Sequence, residues 1–568
     1  MVSHLCSALA IAAIFFRSST LAYGGPACRY LLSDTEWPSA EDWNHLNASV
    51  SGRLIAVVPL GHVCHDPTYD AAACAALQQS WILPNGQFDD PSGFMSSYYQ
   101  NASCDPFTGR NTTCLQGNYV QYAINVTGAE DVQAGVEFAQ EKNVRLVIKN
   151  TGHDYLGKST GKGALSLWMH NLKSISFSNY TSTAYTGPSV KMGAGIQAFE
   201  AYAAADKVGL NVVGGQCPTV GLAGGYSQGG GHSLLSSKHG LGADQALEWE
   251  VVTANGTLVT ATPTQNSDLY WALSGGGGGT YGVVLSLTSK AYPDGKVGGV
   301  SLLFAVASAT DDALWNAVEF FQRDSLPTIV DAGAHVQWAI FGSAFLISEA
   351  TIPGATEDDM RTVFSSFTTY LDANNIQYQM NVTSYPTFYE HADKYLGPLP
   401  YGTTPAAQIQ GGVMVSRNTV VNDTSALVSV LRNIATKYPQ FPIASYGMDV
   451  SQPPSSPNAV LPAWREQLSY FVVLQFWNFT VPVSVMDEQE RILTEEVMPP
   501  LQDIASGAYM SEADFHNPRW REEFYGENWD RLLEVKKTWD PEGLLWAATA
   551  VGSDDWVVQE DGRLCKAT

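Results

Sequence analysis

Basic residues are scarce in this sequence of 568 residues. It contains 30 Lys and Arg against 55 Asp and Glu, a formal net charge of −25 at pH 7. Proteins bind nucleic acids and anionic membrane surfaces through clusters of Lys and Arg that neutralise phosphates. We therefore expect neither nucleic acid nor membrane among the partners.

Long apolar segments are equally scarce. Beyond the N-terminus, no stretch approaches the roughly 18 apolar residues that a membrane span requires. The N-terminus reads MVSHLCSALAIAAIFFRSSTLAYGG, with an apolar stretch from Leu5 to Phe16 followed by small residues. This pattern predicts a cleaved signal peptide over residues 1–22, and a buried N-terminal helix is the alternative.

A Cys-X-X-Cys pair, the usual start of a structural zinc site, is also missing, so the sequence predicts no metal. What it does contain is nine Asn-X-Ser/Thr sequons, each of which is a weak motif by itself. They lie at Asn47, Asn101, Asn111, Asn125, Asn179, Asn255, Asn381, Asn422 and Asn478. Together with the apolar leader, they predict a secreted, extracellular glycoprotein.

Hydrophobic residues make up 45% of the chain and charged residues 15%, which is typical of a globular protein. The length favours at least two large domains. A regular pattern begins with a predicted strand from Tyr119 to Val126. A helix with a capping box of Thr127 and Glu130 follows, and RLVIK returns as a strand. This β-α-β unit implies a parallel crossover.

Glycine is concentrated after a second predicted helix, which runs from about Ile196 to Val208 and stops at Gly209. The segment NVVGGQCPTVGLAGGYSQGGGHS holds eight glycines between Gly214 and Gly231, and a further run, SGGGGGTYGVVLSL, precedes an apolar strand. Such density indicates tight turns or a ligand lying against the main chain.

One motif suggests a different function. GHDYLGKS, from Gly152 to Ser159, satisfies G-x-x-x-x-G-K-[ST], the phosphate-binding loop of NTPases. That loop must open into a helix whose N-terminus faces the phosphates. Here TGKGALSLWMHNL follows, which alternates like a strand, so an NTPase is retained only as a remote alternative.

Four separated segments then point to a family. RLVIKNTGHD, the glycine-rich segment continuing to HSLLSSKHGLGADQALEWEVVTANG, GGGGGTYGVVLSL and the tail FYGENWDRLLEVKKTWDPEGLLW occur in the same order as in the vanillyl-alcohol-oxidase superfamily. The chain most resembles the berberine-bridge-enzyme-like branch, from about Asn118 to Trp556. The resemblance implies an FAD-linked oxidase.

The implied fold is α+β, with a two-subdomain FAD-binding domain of PCMH type and a substrate domain whose antiparallel sheet is covered by helices. We expect the disulfide-rich N-terminal part of the FAD domain at 23–117 and its core at 118–292. The substrate domain follows at 293–505, and the C-terminal return to the FAD domain at 506–568. We expect a monomer.

The resemblance also implies bicovalent FAD, attached to His153 through the flavin 8α-methyl group and to Cys217 through ring position C6. A neutral imidazole and a thiolate are both nucleophiles that suit this chemistry. The same resemblance implies further cofactor contacts, at Asn150, Thr151, Gly152, Asp154, Thr219, Gly221, Gly224, Gly282, Val283 and Asn528. Val220 matches a position that is often small and branched where oxygen is admitted, which favours an oxidase over a dehydrogenase.

With Cys6 in the leader and Cys217 on the flavin, six cysteines remain, enough for three disulfides in an oxidising compartment. Six cysteines allow about 15 pairings, and the local candidates are Cys64 with Cys74 and Cys104 with Cys114.

In this family a substrate C–H gives hydride to the flavin while a base takes the hydroxyl proton, and O2 is reduced to H2O2. Many relatives have Tyr-X-Asn-Tyr in the return segment, with the second tyrosine as base, whereas this chain reads Tyr509-Met510-Ser511-Glu512. Glu512 is the first candidate base and Tyr509 the second. A base elsewhere stays open.

The strand SYFVVLQFW, at 469–477, lacks the carboxylate that relatives often carry there. Tyr470, Phe471, Gln475 and Trp477 are candidate pocket liners, or simply core. The expected substrate is a small or medium primary alcohol, a phenolic compound or another secondary metabolite. An oligosaccharide oxidase and a flavin-binding secreted protein with little turnover are the alternatives.

Overall fold

The computed structural model describes residues 27–567. The predicted signal peptide lies outside them. No helix within these residues has both the length and the apolar character needed to cross a membrane.

The first half of the chain builds two sheets and a two-stranded ribbon. Its strands are β1 (Leu54–Ala56), β2 (Tyr122–Asn125), β3 (Leu146–Lys149), β4 (Leu165–Trp168), β5 (Ile175–Thr181), β6 (Thr186–Gly193), β7 (Leu210–Asn211), β8 (Ala246–Val252), β9 (Leu258–Ala261), β10 (Val283–Lys290) and β11 (Tyr292–Pro293). The sheet orders are β1-β2-β4-β3 and β5-β6-β10-β8-β9, and β7 pairs with β11.

The second half builds one large antiparallel sheet with the order β15-β12-β14-β13-β17-β18-β16. Its strands are β12 (Val297–Ala305), β13 (His335–Phe341), β14 (Ala344–Pro353), β15 (Tyr378–Tyr385), β16 (Gln408–Ser416), β17 (Ile443–Gly447) and β18 (Gln467–Phe476). All seven lie inside the segment predicted as the substrate domain, 293–505. A short ribbon of β19 (Trp556–Val558) and β20 (Leu564–Lys566) follows near the C-terminus.

The α-helices are α1 (Ala40–Ser49), α2 (Ala71–Ser80), α3 (Ser97–Gln100), α4 (Ala129–Glu141), α5 (Ala198–Asp206), α6 (Ser236–His239), α7 (Ser267–Leu273), α8 (Asp312–Phe320), α9 (Leu326–Asp331), α10 (Glu357–Ala373), α11 (Phe388–Leu396), α12 (Arg417–Asn422), α13 (Thr424–Lys437), α14 (Ala463–Glu466), α15 (Val483–Ile492), α16 (Pro499–Gln502), α17 (Trp520–Tyr525) and α18 (Trp529–Trp539). Helices α8, α10, α13 and α15 bury their apolar faces against the outer face of the seven-stranded sheet. The inner face of that sheet is left to border the site.

The predicted β-α-β unit is present as β2, α4 and β3, with both strands parallel, but β4 lies between them in the sheet. The predicted capping box is wrong. Gly128 is the N-cap residue, and Thr127 donates its N–H and hydroxyl to Asp131 at 2.8 Å instead of pairing with Glu130. Asp131 therefore closes the helix start, one residue beyond the predicted partner.

Three disulfides tie the chain together. Cys64 pairs with Cys74 and Cys104 with Cys114, which confirms the two local pairings. The third joins Cys28 to Cys565 across 537 residues. The end of the return segment, at β20, is thereby fixed to the segment that precedes α1.

Candidate active site

A cavity of about 460 Å³ lies between the glycine-rich loops of the first half and the inner face of the seven-stranded sheet. One wall is formed by residues 150–159, which follow β3, by residues 215–228 and by the 278–282 turn before β10. Side chains of β13, β16, β17 and β18 form the opposite wall. The return segment closes one end with Tyr509 to Glu512.

His153 and Cys217 meet on the first wall through the hydroxyl of Thr219. His153 Nε2 lies 2.6 Å from Thr219 Oγ1, and Cys217 Sγ lies 3.9 Å from the same oxygen. Gln197 Nε2 donates to the Thr219 carbonyl at 2.7 Å, which fixes the turn that carries both contacts. Two nucleophiles 64 residues apart in sequence are thus held beside one buried hydroxyl group.

Burial sets the protonation of both groups. It lowers the pKa of His153 to about 3, so the imidazole is neutral at any physiological pH. It raises the pKa of the Cys217 thiol to about 11, against a smaller lowering by the hydrogen bonds from Thr219. The contact with Thr219 is made by Nε2 of the His153 ring.

Several glycines of these loops lie too close to neighbouring atoms to carry a side chain. A Cβ on Gly221 would lie 2.8 Å from the Asn150 side chain, and one on Gly278 would lie 2.9 Å from the Gly225 Cα. Gly152 adopts φ of +75°, and its Cβ would meet the Gly93 carbonyl oxygen at 2.6 Å. These contacts leave main chain, rather than side chains, facing the cavity.

Asp154 organises the first loop. Its carboxylate accepts the N–H groups of Leu156 at 3.0 Å and Ser159 at 2.6 Å. The loop then continues through turns into β4 rather than into a helix. The NTPase alternative is therefore wrong, because a helix N-terminus is absent and two loop N–H groups are already used internally.

At the closed end, Glu512 faces His232. Its two carboxylate oxygens lie 3.2 and 3.4 Å from His232 Nε2, and its carbonyl accepts the Tyr470 hydroxyl at 3.1 Å. Tyr509 is 3% exposed and packs against Trp464 and Tyr470. Burial first, and then the Glu512 charge, raise the pKa of Tyr509, so this phenol stays protonated.

Comparison with known proteins identifies the loops and the return segment. Residues 120–262 match the model of the FAD binding domain family, and residues 508–552 match the berberine and berberine-like family. The FAD-linked oxidoreductase sor8 of Hypocrea jecorina is 45% identical over 95% of this chain and 94% of its own length. The VAO-type flavoprotein oxidase VAO615 of Thermothelomyces thermophilus is 43% identical and covers 100% of each chain.

The crystal structure of the VAO-type flavoprotein MtVAO615 from Myceliophthora thermophila C1 superposes with a TM-score of 0.92. It is 43% identical, and the match covers 95% of this chain and 100% of that one. The chain belongs to the vanillyl-alcohol-oxidase superfamily. Within it, the berberine-like return segment places the chain in the berberine-bridge-enzyme-like branch of FAD-linked oxidoreductases.

The cavity fits the FAD of this superfamily. Asn150 borders the cavity, and its Oδ1 is buried without a hydrogen-bond partner, so this oxygen can accept a hydrogen bond from a bound cofactor. The glycine loops offer close main-chain approach for a pyrophosphate, and the lining includes apolar side chains such as Ile148, Met169 and Leu545. His153 and Cys217 supply nucleophiles for the ring.

Most residues predicted as cofactor contacts border the cavity. They are Asn150, Thr151, Gly152, His153, Asp154, Cys217, Val220, Gly221, Gly224 and Gly282. Thr219 lies behind the wall. Val283 and Asn528 do not line the cavity; Asn528 Nδ2 instead donates to the carbonyls of Ala459 and Val460 at 3.2 Å. Asn528 therefore holds a loop in place.

The predicted liners on β18 are mostly on the wrong face. Val472, Leu474 and Phe476 line the cavity, whereas Phe471 packs edge-on against Trp338 in the core beneath the helices. Gln475 and Trp477 lie on the same face of the strand as Phe471, because side chains alternate along a strand. Tyr470 lies on the face that borders the cavity, but it is buried and donates its hydroxyl to the Glu512 carbonyl.

Sequence reasoning also missed several polar side chains of the site. His232, Tyr446 and Lys158 line the cavity, and so do three glutamines of the seven-stranded sheet, Gln337, Gln408 and Gln410. His232 was visible as the end of the GGGHS run, but its partner lies 280 residues away. Gln337 lies on β13, whereas Gln408 and Gln410 both lie on β16, about 70 positions further along the chain, so no local pattern connects all three.

Proposed function

We propose that this chain is a secreted oxidase with FAD bound bicovalently through His153 and Cys217. It takes hydride from a hydroxyl-bearing carbon of a neutral small molecule and reduces O2 to H2O2. The observation that carries the proposal is the pair of nucleophiles held beside Thr219 Oγ1, at 2.6 and 3.9 Å. The two attachment positions lie on the same ring of the flavin, so the two side chains must lie close together.

FAD supplies the electron chemistry: it accepts a hydride and returns two electrons to O2, which with two protons becomes H2O2. The protein supplies a base for the hydroxyl proton. Glu512 is the better candidate, because a base must be deprotonated before it acts and burial keeps Tyr509 protonated. His232 Nε2, 3.2 Å from Glu512, orients the carboxylate.

The lining favours a neutral substrate. Lys158 is the one Lys or Arg that borders the cavity among the described residues, and it lies on the loop assigned to the cofactor. The substrate half offers glutamine amides and a tyrosine hydroxyl, which bind hydroxyl groups, beside apolar Val472, Leu474 and Phe476. Val220 packs tightly against Gly215, where an added Cβ would lie 2.3 Å from Val220 Cγ1. Both residues border the cavity, and the small side chain of Val220 leaves room there for O2.

Secretion is supported by features outside the site. The three disulfides require an oxidising compartment. Seven of the nine sequon asparagines are exposed, and Asn47 and Asn125 are half-buried, so all nine lie at the surface. Together with the predicted signal peptide, this supports an extracellular glycoprotein.

A peroxide assay over matched substrates tests the function. We expect H2O2 from neutral benzylic or phenolic alcohols, and slower turnover of the same compound bearing a carboxylate, because Glu512 repels it. If only oligosaccharides gave H2O2, the enzyme would instead be an oligosaccharide oxidase. A normal flavin spectrum without peroxide from any alcohol, phenol or sugar would contradict the oxidase and favour a binding protein.

The two bonds should form with different pH dependence. His153 is neutral throughout, whereas the Cys217 thiol, with its pKa raised to about 11, must lose a proton to become the nucleophile. The thiolate fraction rises about tenfold per pH unit below that pKa. When apoprotein from a riboflavin-starved host is mixed with FAD at pH 6 to 9, we expect the Cys217 bond to accelerate with pH and the His153 bond to stay constant. Peptide mapping of acid-quenched samples measures both, and equal pH profiles would contradict the assignment.

A further inference from the structure

Away from the cavity, Glu490, Asp514 and His516 converge where α15 meets the return segment. One ligand atom from each side chain lies within 4.8 Å of the other two. Glu490 comes from the helix, and the other two residues come from the loop that follows Glu512. The sequence predicts no metal, because it lacks a Cys-X-X-Cys pair; Glu490 and Asp514 are 24 positions apart and meet only in the folded chain.

Glu490 is the decisive residue. Its side chain is 2% exposed, and both carboxylate oxygens are buried without a hydrogen-bond partner. Buried carboxylates normally accept hydrogen bonds or coordinate a cation, since an uncompensated buried charge is strongly unfavourable. Among the described residues, no Lys or Arg pairs with it; its nearest basic neighbour is His516 Nδ1, 3.4 Å from Oε1.

Asp514 is held in place beside Glu490. Its Oδ2 accepts the Thr494 hydroxyl at 2.7 Å, and its Oδ1 accepts the backbone N–H of His516 at 2.7 Å. Each oxygen retains a free lone pair, and the residue is 2% exposed. Two buried carboxylates side by side require either a shared proton or a cation.

His516 distinguishes these two possibilities. A shared proton needs only the two carboxylates, whereas an imidazole nitrogen at the third corner completes a set of one nitrogen and two carboxylate donors. Its side chain is 47% exposed, which leaves an entry path and room for water as a fourth ligand. Asp487 on the same helix adds further negative charge, and the Tyr98 ring packs edge-on against the imidazole, with ring centroids 5.5 Å apart.

We propose that Glu490, Asp514 and His516 bind a divalent transition-metal ion of the zinc class, at a structural site distinct from the flavin cavity. Zinc takes His nitrogen and carboxylate oxygen at about 2.0–2.2 Å, which places donors roughly 3.3–3.6 Å apart. Glu490 Oε1 and His516 Nδ1 already have this spacing, at 3.4 Å. All three donors lie within 4.8 Å of one another, so binding needs only a small contraction. The ion joins α15 to the loop two residues beyond Glu512 and fixes the position of that loop.

Zinc binding to the purified holoenzyme tests the site. After EDTA treatment and buffer exchange at pH 7.5, titration against a chromophoric chelator should give one zinc per chain, and zinc should raise the thermal unfolding midpoint. His516→Ala should weaken the binding at least about tenfold, because losing even an outer partner of a ligand costs 10–100-fold. His516 is half-exposed, so this variant removes a ligand without opening the core.

Glu495→Gln is the matched control. It removes one carboxylate from the next helical turn, where Glu495 is 60% exposed and shares Arg491 with two other acids. We expect it to bind zinc as the parent does. Absence of stoichiometric zinc binding in the parent, or equal zinc affinity in the parent and His516→Ala, would overturn the proposal. Glu490→Gln adds a second check: stabilisation by this variant without zinc binding in the parent would show a shared proton instead.

Discussion

Replacing Glu512 with Gln should lower the rate of flavin reduction by substrate about 10²–10⁴-fold, the usual contribution of a positioned base. The amide keeps the shape of the side chain and its contact with His232 but cannot accept the hydroxyl proton. Anaerobic stopped-flow measurement of flavin bleaching isolates this step from the reaction with O2. The flavin content and visible spectrum should remain those of the parent.

Two further variants make the result specific. Tyr509→Phe should lower the rate of flavin reduction by less than about a hundredfold, the smallest loss expected when a base is removed. The buried phenol stays protonated and contributes only packing and hydrogen bonding. Glu522→Gln, an exposed carboxylate of the same return segment, should reduce flavin at the parental rate. If Tyr509→Phe abolished reduction and Glu512→Gln did not, the two assignments would be exchanged.

Removing both attachment residues should release all of the flavin on acid denaturation, the largest change that we expect in this protein. His153→Ala and Cys217→Ser should each retain one bond, so the flavin stays with the polypeptide in both single variants. The double variant should lose it entirely, because the remaining contacts are non-covalent and fail when the loops unfold. Fluorescence of the acid-precipitated protein reports the result directly.

His45→Ala is the control for these variants, since His45 is exposed on α1 and far along the chain from the loops. It should retain both bonds. Retention of flavin by the double variant would show that another side chain forms a bond. Complete release from either single variant would show that only one bond exists.

Features of this chain that depend on neighbouring residues can be predicted from its sequence, whereas the pairing of distant segments cannot. The β2-α4-β3 unit, the two disulfides between cysteines ten positions apart and the glycine loops were all predictable, because each depends on residues within about 30 positions. The insertion of β4 between β2 and β3 was not, since strand order is set by packing between distant segments.

The site shows the same division. His153 and Cys217 lie within recognisable motifs, but that both contact Thr219 depends on the tertiary structure. The pairing of Glu512 with His232 spans 280 residues. On β18 the candidate liners were drawn from both faces of the strand, with core as the alternative. Phe471 and Trp477 lie in the core, whereas Val472 faces the cavity, because strand side chains alternate with a period of two.

The most direct test of bicovalent attachment is the mass of flavin-bearing tryptic peptides. Cleavage at Lys149 and Lys158 gives peptide 150–158, which contains His153, and cleavage at Lys207 and Lys238 gives peptide 208–238, which contains Cys217. The account predicts one species in which a single flavin joins both peptides, absent from His153→Ala and Cys217→Ser. Recovery of both peptides without flavin, or of flavin on only one of them, would contradict it.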